Sequence, residues 1–416
     1  MKLTSNQSGY VSLLVTSILL LLALIVSLAS SKGVLFQIKV AQNELKDRQA
    51  HWQAEGGLEC AFTINKINNS ILPDSQDYSE CAVSSISATQ SLIDPRYYEI
   101  TSVSNSHLQL KKSIKVNRRT SGAIQSRSDL MLIGSNAIKP EFESPDHCIS
   151  VRFLTSVTLH GGVVTNNPAG KVCNSAYKTD TQHPGLCVSG DTNCDDSGGS
   201  NYYKVKVVGN DPNYIGDGKM FEKDFIHDPA LDPFESFFGY PRTQVSEVKS
   251  EFEVITGSIA DTGGGSISCK DRILNAFSLS NKVWVEGDCD LKDGLGVPET
   301  SSPKLLVIEN GILSTYGTDT FPGTVYHLFT SSVEDMTSRW TSEVSGYAHL
   351  ESLTTEQKAK LTFISGGSFK PTGGFVFDTV GGLSVFTSSL NLEFDAAAIP
   401  NKANRISWLR GSWNDL

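Results

Sequence analysis

Residues 10–31, YVSLLVTSILLLLALIVSLASS, run for 22 positions without a charged side chain. At about 1.5 Å of rise per residue, such a run makes roughly 33 Å of helix, enough to cross the hydrocarbon core of a bilayer. The apolar pattern continues beyond it. Val34, Ile38, Ala41, Leu45, Trp52, Leu58 and Phe62 follow at spacings that are mostly three, four or seven, the period of one helix face. The spacing predicts one long helix, apolar all round over 10–31 and amphipathic beyond, with the rest of the chain carried on it.

A chain of 416 residues exceeds one ordinary core, so two or three domains are expected. Only 19% of residues are charged and 35 are glycine, a balance that suits strands and turns over helical bundles. The net charge of −10 argues against a general polyanion binder. The eight cysteines are Cys60, Cys81, Cys148, Cys173, Cys187, Cys194, Cys269 and Cys289. They form no CxxC and no zinc-finger spacing, and an even set behind an apolar segment fits disulfides in an oxidising compartment. Nearest-neighbour pairing, Cys60–Cys81, Cys148–Cys173, Cys187–Cys194 and Cys269–Cys289, is expected because short loops close most easily; sequence alone does not fix connectivity. Lys2 and the terminal amine, with no acid beside them, orient the N-terminus to the inside and the C-terminal part to the outside.

The polar peptide ahead of the run, MKLTSNQSG, admits three readings. It is a secretory signal cut near Ala29-Ser30-Ser31, a plain signal anchor, or a leader cut after Gly9. The third rests on a glycine placed directly before the apolar run. It resembles the leader of type IV pilins and pseudopilins. Leu14 stands fifth after the cut, where most of that family carry glutamate, which is similar to minor pilins of the PilX / GspK-like class. Arg48-Gln49-Ala50 and Gln53-Ala54-Glu55-Gly56-Gly57-Leu58-Glu59 resemble the RxxAxxAAEAGLE segment of PilX-like stems. The resemblance implies cleavage between Gly9 and Tyr10 by prepilin peptidase and methylation of the new N-terminus. The chain would rest in the bacterial inner membrane before assembly and at an extracellular pilus tip afterwards. Its partners would be other minor pilins and the major pilin, with DNA or a surface ligand at the tip. Leu14 marks the tip position on this reading. A buried amine left unpaired inside an apolar bundle is costly, and a subunit lacking the glutamate is least penalised where nothing lies ahead of it.

Residues 32–119 read as the amphipathic helix and a small pilin-like head. The helix ends near Asn68-Asn69-Ser70, and strands are expected over 96–103 and 108–116. On the second strand Leu108, Leu110, Ile114 and Val116 share a face that Lys112 interrupts, which suggests an edge position. Lys111, Lys112, Lys115, Arg118, Arg119 and Arg127 form a basic stretch without an acid, a solvated edge or a candidate polyanion contact. Residues 120–129 read as a linker.

From 130 to 416 short apolar runs alternate with acids and glycines: Val283-Trp284-Val285-Glu286-Gly287, Leu306-Val307-Ile308-Glu309-Asn310-Gly311, Phe375-Val376-Phe377-Asp378. This degenerate repeat of strand, acid, turn and strand predicts a β-rich domain, β-helix-like or sandwich. Two insertions interrupt it. One is a disulfide loop at 173–213. The other, at 224–255, is a short-helix segment whose Phe234, Phe237, Phe238 and Tyr240 are expected to form a satellite core. Trp408 and Trp413 close the tail. The fold class is therefore α+β: a long N-terminal helix with a small antiparallel sheet, then a large mostly-β domain.

No GxSxG, HExxH, P-loop or dinucleotide fingerprint occurs. Glu286, Asp288 and Asp290 alternate as carboxylates of one strand face would, a weak acid–base candidate. Asp191, Asp195 and Asp196 offer oxygen ligands for calcium without the EF-hand pattern. No enzyme, cofactor or metal is expected. Two function classes stand: a structural subunit at a pilus tip that primes assembly, and a membrane-anchored β-helix enzyme or receptor acting on a polysaccharide.

Overall fold

The structure is a computed structural model. It describes residues 8–67, 73–92, 97–117, 122–144, 147–166, 181–183, 192, 194–195, 204–216, 219, 221, 224–259, 267–399, 405–409, 411–412 and 414–415. The chain forms two units, residues 1–116 with 404–416, and residues 117–403.

In the first unit, α1 (Ser8–Ile67) is one continuous helix of 60 residues, about 90 Å long at 1.5 Å per residue. Residues 10–49 are exposed throughout. From Ala50 onward the helix seats on an antiparallel sheet of β1 (Ser85–Gln90), β2 (Tyr97–Val103) and β3 (Gln109–Asn117). The seating face is Ala50, Ala54, Leu58, Ala61 and Asn65, all buried. Of the face the sequence suggests, Leu58 is buried and Phe62 packs partly buried beside it, whereas Val34, Ile38, Leu45 and Trp52 are exposed. Small residues win because the helix lies close to the sheet. At Gly57 a Cβ would meet the Ser102 hydroxyl and come 2.7 Å from Val83 Cγ1, so only glycine fits there. The Cys60–Cys81 disulfide, with Cα atoms 5.9 Å apart, ties the last turns of α1 to the segment before β1.

The expected edge at β3 is covered. The Arg405–Trp408 strand lies beside it, and Asn414–Asp415 pairs antiparallel with Lys111 and Leu110. The C-terminal tail thus belongs to the sheet of the first unit, whereas the sequence reading placed all of 130–416 in the β-rich domain. The physical reason is the unpaired edge of β3, which a late strand satisfies. Likewise, the stretch read as a linker over 120–129 contains a buried strand, Ile124–Ser126, and the start of another, Asp129–Ile133. Its polar residues Gln125, Ser126 and Ser128 are buried, and Ser126 and Ser128 satisfy one another at 2.9 Å.

The second unit is mostly parallel sheet. One eight-stranded sheet runs in the order Phe225–His227, Val151–Phe153, Ile124–Ser126, Phe375–Asp378, Gly323–Leu328, Lys304–Glu309, Lys282–Glu286, Glu253–Thr256, and every pairing is parallel. A second contains Lys204–Val208, Ser156–His160, Asp129–Ile133, Leu383–Phe386, Leu361–Ser365, Leu313–Tyr316 and Cys289–Lys292, parallel except for Lys204–Val208. Consecutive strands of one segment feed different sheets: Ile124–Ser126 the first, Asp129–Ile133 the second, and Asn136–Lys139 a third with Val163–Thr165 and Asn391–Glu393. The layers are not stacked in chain order. The 124–139 layer lies between the 151–165 layer and the 375–393 layer, so the first and last strands of the unit pair with each other, Ile124 opposite Phe375 and Asp129 opposite Leu383.

Alternation fills the interior. Val283, Val285, Leu306, Ile308, Val325, Phe375 and Phe377 are buried and line up through the first sheet. Phe363, Phe375, Phe377 and Phe386 form one aromatic cluster with ring centroids 4.8–5.9 Å apart, the separation that favours aromatic pairs. His327 takes an interior place in this row. Burial lowers its pKa to about 4, although the Gly311 carbonyl, 2.7 Å from Nε2, acts in the opposite direction.

Candidate functional site

The most unusual feature of the described surface is the apolar half of α1. Tyr10 (72% exposed), Leu13, Leu20 and Leu21 have no protein against them. The helix is long and apolar enough to cross a membrane. Gly9 and Tyr10 lie within its first turn. Leu14 is half exposed on its surface, at 48%. No acid precedes Glu44, whose carboxylate is held by Arg48 at 2.6 Å. Ser17 and Ser31 return their hydroxyls to the Leu14 and Ser27 carbonyls, so these polar groups are satisfied within the helix.

The basic stretch does not form one exposed array. Lys111 is paired with Glu99 at 2.9 Å. Lys112 is buried on the helix-facing side of β3, in line with Leu110, Ile114 and Val116. Its ammonium sits 4.0 Å from the Trp408 ring centroid and 3.7 Å from Glu59. Trp408 in turn stacks on Phe62 at 4.7 Å. A cation–π contact and a carboxylate therefore explain the lysine that breaks the apolar alternation. Lys115 is also partnered. Arg127 belongs to the other unit, where it binds Asp378 at 3.0 Å. Arg118 and Arg119 lie outside the described residues.

Two of the four expected disulfides are in place, Cys60–Cys81 and Cys269–Cys289, the latter with Cα atoms 5.5 Å apart. Cys148 and Cys194 are also disulfide-bonded, while Cys173 and Cys187 lie outside the described residues.

The acids of the repeat are structural. Glu286 and Glu309 stand opposite one another on neighbouring strands, a like-charge pair that costs stability unless neutralised. Lys249, from the short helix Val245–Lys249, binds both, and reaches Glu309 at 2.6 Å. Burial acts to lower the pKa of that ammonium. The hydrogen bonds to Glu286 and Glu309 outweigh it and hold the pKa above the ordinary lysine value. Asp378, the third acid, is completely buried. Arg242 binds it at 2.6 and 2.7 Å, Arg127 at 3.0 Å, and the Tyr326 hydroxyl donates to it at 2.7 Å. Burial, reinforced by Asp378, pushes the Tyr326 phenol well above its ordinary pKa, so it remains a donor. The acid of each repeat is thus a latch for the 224–255 insertion.

The aromatics of that insertion are part of the main core and not a satellite: Phe238 lies 5.0 Å from Tyr326 and 6.4 Å from Trp284. Its helix Pro233–Phe238 starts on an Asp232 cap and ends at Gly239 with φ 71.

The proposed acid–base trio does not converge. Glu286 faces Lys249, Asp288 accepts from Arg339 at 2.9 Å and from the Ile312 N–H, and Asp290 accepts from the Ser345 backbone and hydroxyl. The turn at Gly287, with φ 94, breaks the alternation that would have put them on one face. Of the calcium candidates, Asp195 pairs opposite Lys204 across two strands, and Asp191 and Asp196 lie outside the described residues. No cluster of three metal-ligating side chains occurs among the described residues. Searches against protein-family models, curated proteins and solved structures find no match for this chain.

Proposed function

We propose that the chain is a minor subunit of a type IV pilus or related filament, held in the inner membrane by α1 and placed at the filament tip, where it primes assembly. Its sequence motifs resemble the PilX / GspK-like class. The carrying observation is the division of α1: forty exposed residues, 10–49, with no acid before Glu44, running without a break into a half that seats on an antiparallel sheet. A stem of this kind inserts in a bilayer as a single helix and later packs against other apolar helices. With Leu14 at the fifth mature position, a mid-fibre copy leaves the amine of the subunit ahead of it unpaired in an apolar bundle, at a cost of several kcal/mol; a tip copy has no subunit ahead. The additional 117–403 unit also favours an end position over a lattice of small heads. Within this reading the second unit is a parallel β-helix, supported by one parallel and two largely parallel sheets fed in turn by consecutive strands. No catalytic role is assigned.

Labelled copies should appear at fibre ends, about one per fibre, and loss of the protein should reduce fibre number more than length. Regular labelling along the shafts would defeat the tip assignment.

A further inference from the structure

We propose that the C-terminal strand of the first unit is a folding sensor. Residues 404–416 stay seated beside β3 only while the 117–403 unit is folded, so the seat of α1 is complete only in a chain whose second unit is intact. The device follows from where the chain leaves and re-enters the first unit. β3 ends at Asn117, and the Arg405–Trp408 strand that lies beside it comes after the whole second unit.

The tail has little to hold it by itself. Ile406 and Trp408 are half-buried, and Ser407 and Leu409 are exposed. Its attachments include the Trp408 stack on Phe62, the Lys112 ammonium over the Trp408 ring, and two bonds to the backbone of Ser113. In those, the Leu409 N–H donates to the Ser113 carbonyl at 2.9 Å, and the Ser412 hydroxyl accepts from the Ser113 N–H at 3.1 Å. A segment this short and exposed stays on an edge only if the rest of the chain holds it close, as a tethered ligand is held.

The second unit does the holding. The Phe375 N–H donates to the Ala123 carbonyl at 3.1 Å, and the Asp395 N–H donates to the Thr372 carbonyl at 2.7 Å. The way into the unit and the way out therefore meet at residues 372–375. With the unit folded, closure from Asn117 to Asn404 spans about 15 residues outside that junction; unfolded, it spans roughly 290. Closure weakens as roughly the 3/2 power of length, so unfolding lowers the effective concentration of the tail at β3 on the order of a hundredfold.

The first unit feels that loss at α1. Lys112 is buried between the Trp408 ring and Glu59, and Trp408 lies on Phe62. With the tail away, the lysine loses the ring that offsets its burial, Phe62 loses its stack, and β3 has an unpaired edge. Glu59 and Phe62 belong to the last turns of α1, so the stem loosens where it seats. The inference concerns the folding of the chain and does not rest on the filament reading.

The test uses the full chain in detergent micelles, with hydrogen exchange read by mass spectrometry as urea rises. Amides of residues 58–66 and 109–117 report the first unit, and those of 304–328 the second. Both sets should lose protection in one step, and Asp378→Asn, which weakens the second unit, should move that step to lower urea for both. In Lys111→Cys/Asn414→Cys, at positions opposite each other in the register, a disulfide keeps the tail in place. The 58–66 amides should then exchange about a hundredfold more slowly than in the unbridged chain while 304–328 unfolds. Trp408→Ala should raise exchange at 58–66 about tenfold or more without urea and leave 304–328 unchanged. The proposal is overturned if Asp378→Asn shifts the second unit alone, if the bridged variant loses protection in the same step as the unbridged chain, or if Trp408→Ala leaves 58–66 as protected as before.

Discussion

At the scale of single residues, the buried charges decide the most. Asp378 is enclosed and serves three donors, so removing its charge strands two guanidinium groups. Asp378→Asn should destabilise the 117–403 unit by about 3–5 kcal/mol, read as a loss in the chemical denaturation midpoint; Arg127→Ala, which leaves Arg242 in place, should cost less. His327 supplies a pH dependence. Its folded pKa of about 4 lies below the unfolded value near 6.5, so the unfolded chain binds the extra proton first. Stability is full above pH 6.5 and falls between 6.5 and 4, by up to about 3 kcal/mol at 1.36 kcal/mol per unit. His327→Gln should flatten that slope in denaturation curves recorded between pH 7 and 4. The acid at 378 was legible in the sequence, as the third member of a strand–acid–turn repeat. Its partner Arg242 was not, because nothing local distinguishes a cation that reaches across 136 residues of chain. Lys112 is legible as an interruption of the apolar face but not as an enclosed residue, since the strand and the tryptophan that enclose it arrive only near the C-terminus.

At the scale of elements, α1 was readable as one helix, but not all of the face on which it seats. Hydrophobicity points to Val34, Ile38, Leu45 and Trp52, which are exposed, and to Leu58, which is buried; close packing on the sheet adds Ala50, Ala54, Gly57 and Ala61. Gly57→Val should therefore lower the stability of the first unit by roughly 1–3 kcal/mol through overpacking, while Gly56→Ala, where a Cβ meets nothing within 4 Å, should be neutral or slightly stabilising. Thermal unfolding followed on both variants checks the contrast. The Cys60–Cys81 bridge closes a loop of 21 residues at that same seat, so Cys60→Ser/Cys81→Ser should cost about 2–4 kcal/mol. The short triplets of the second unit were legible as strands because apolar residues alternate with acids and turn glycines. Ile124–Ser126 was not: its apolar content is one isoleucine among small polar residues, and its burial comes from the strands on either side.

At the scale of the whole molecule, chain order and spatial order differ in two places. The sheet of the first unit is completed by residues after 404, and the strands at 124–133 pair with those at 375–386. Neither pairing leaves a local signal, which is why the sequence read in order assigned the tail to the wrong unit. Both also delay folding, since contacts this distant in sequence form only after long loops close. Refolding of the second unit should accordingly take milliseconds to seconds or longer, and truncation at residue 370 should expose the 124–133 strands and yield aggregates instead of a smaller folded core. The proposed function rests on the stem. On that proposal, the helix exposed over 10–49 and anchored by small residues from 50 onward would move between a bilayer and a bundle of like helices, and the absence of any acid before Glu44 would put this copy at an end. That account depends on a new N-terminus at residue 10. Intact-mass and N-terminal peptide analysis of the protein recovered from its own cells tests it directly: the account predicts a chain beginning at Tyr10, and a chain beginning near Lys32, or one that retains residues 1–9, would contradict it.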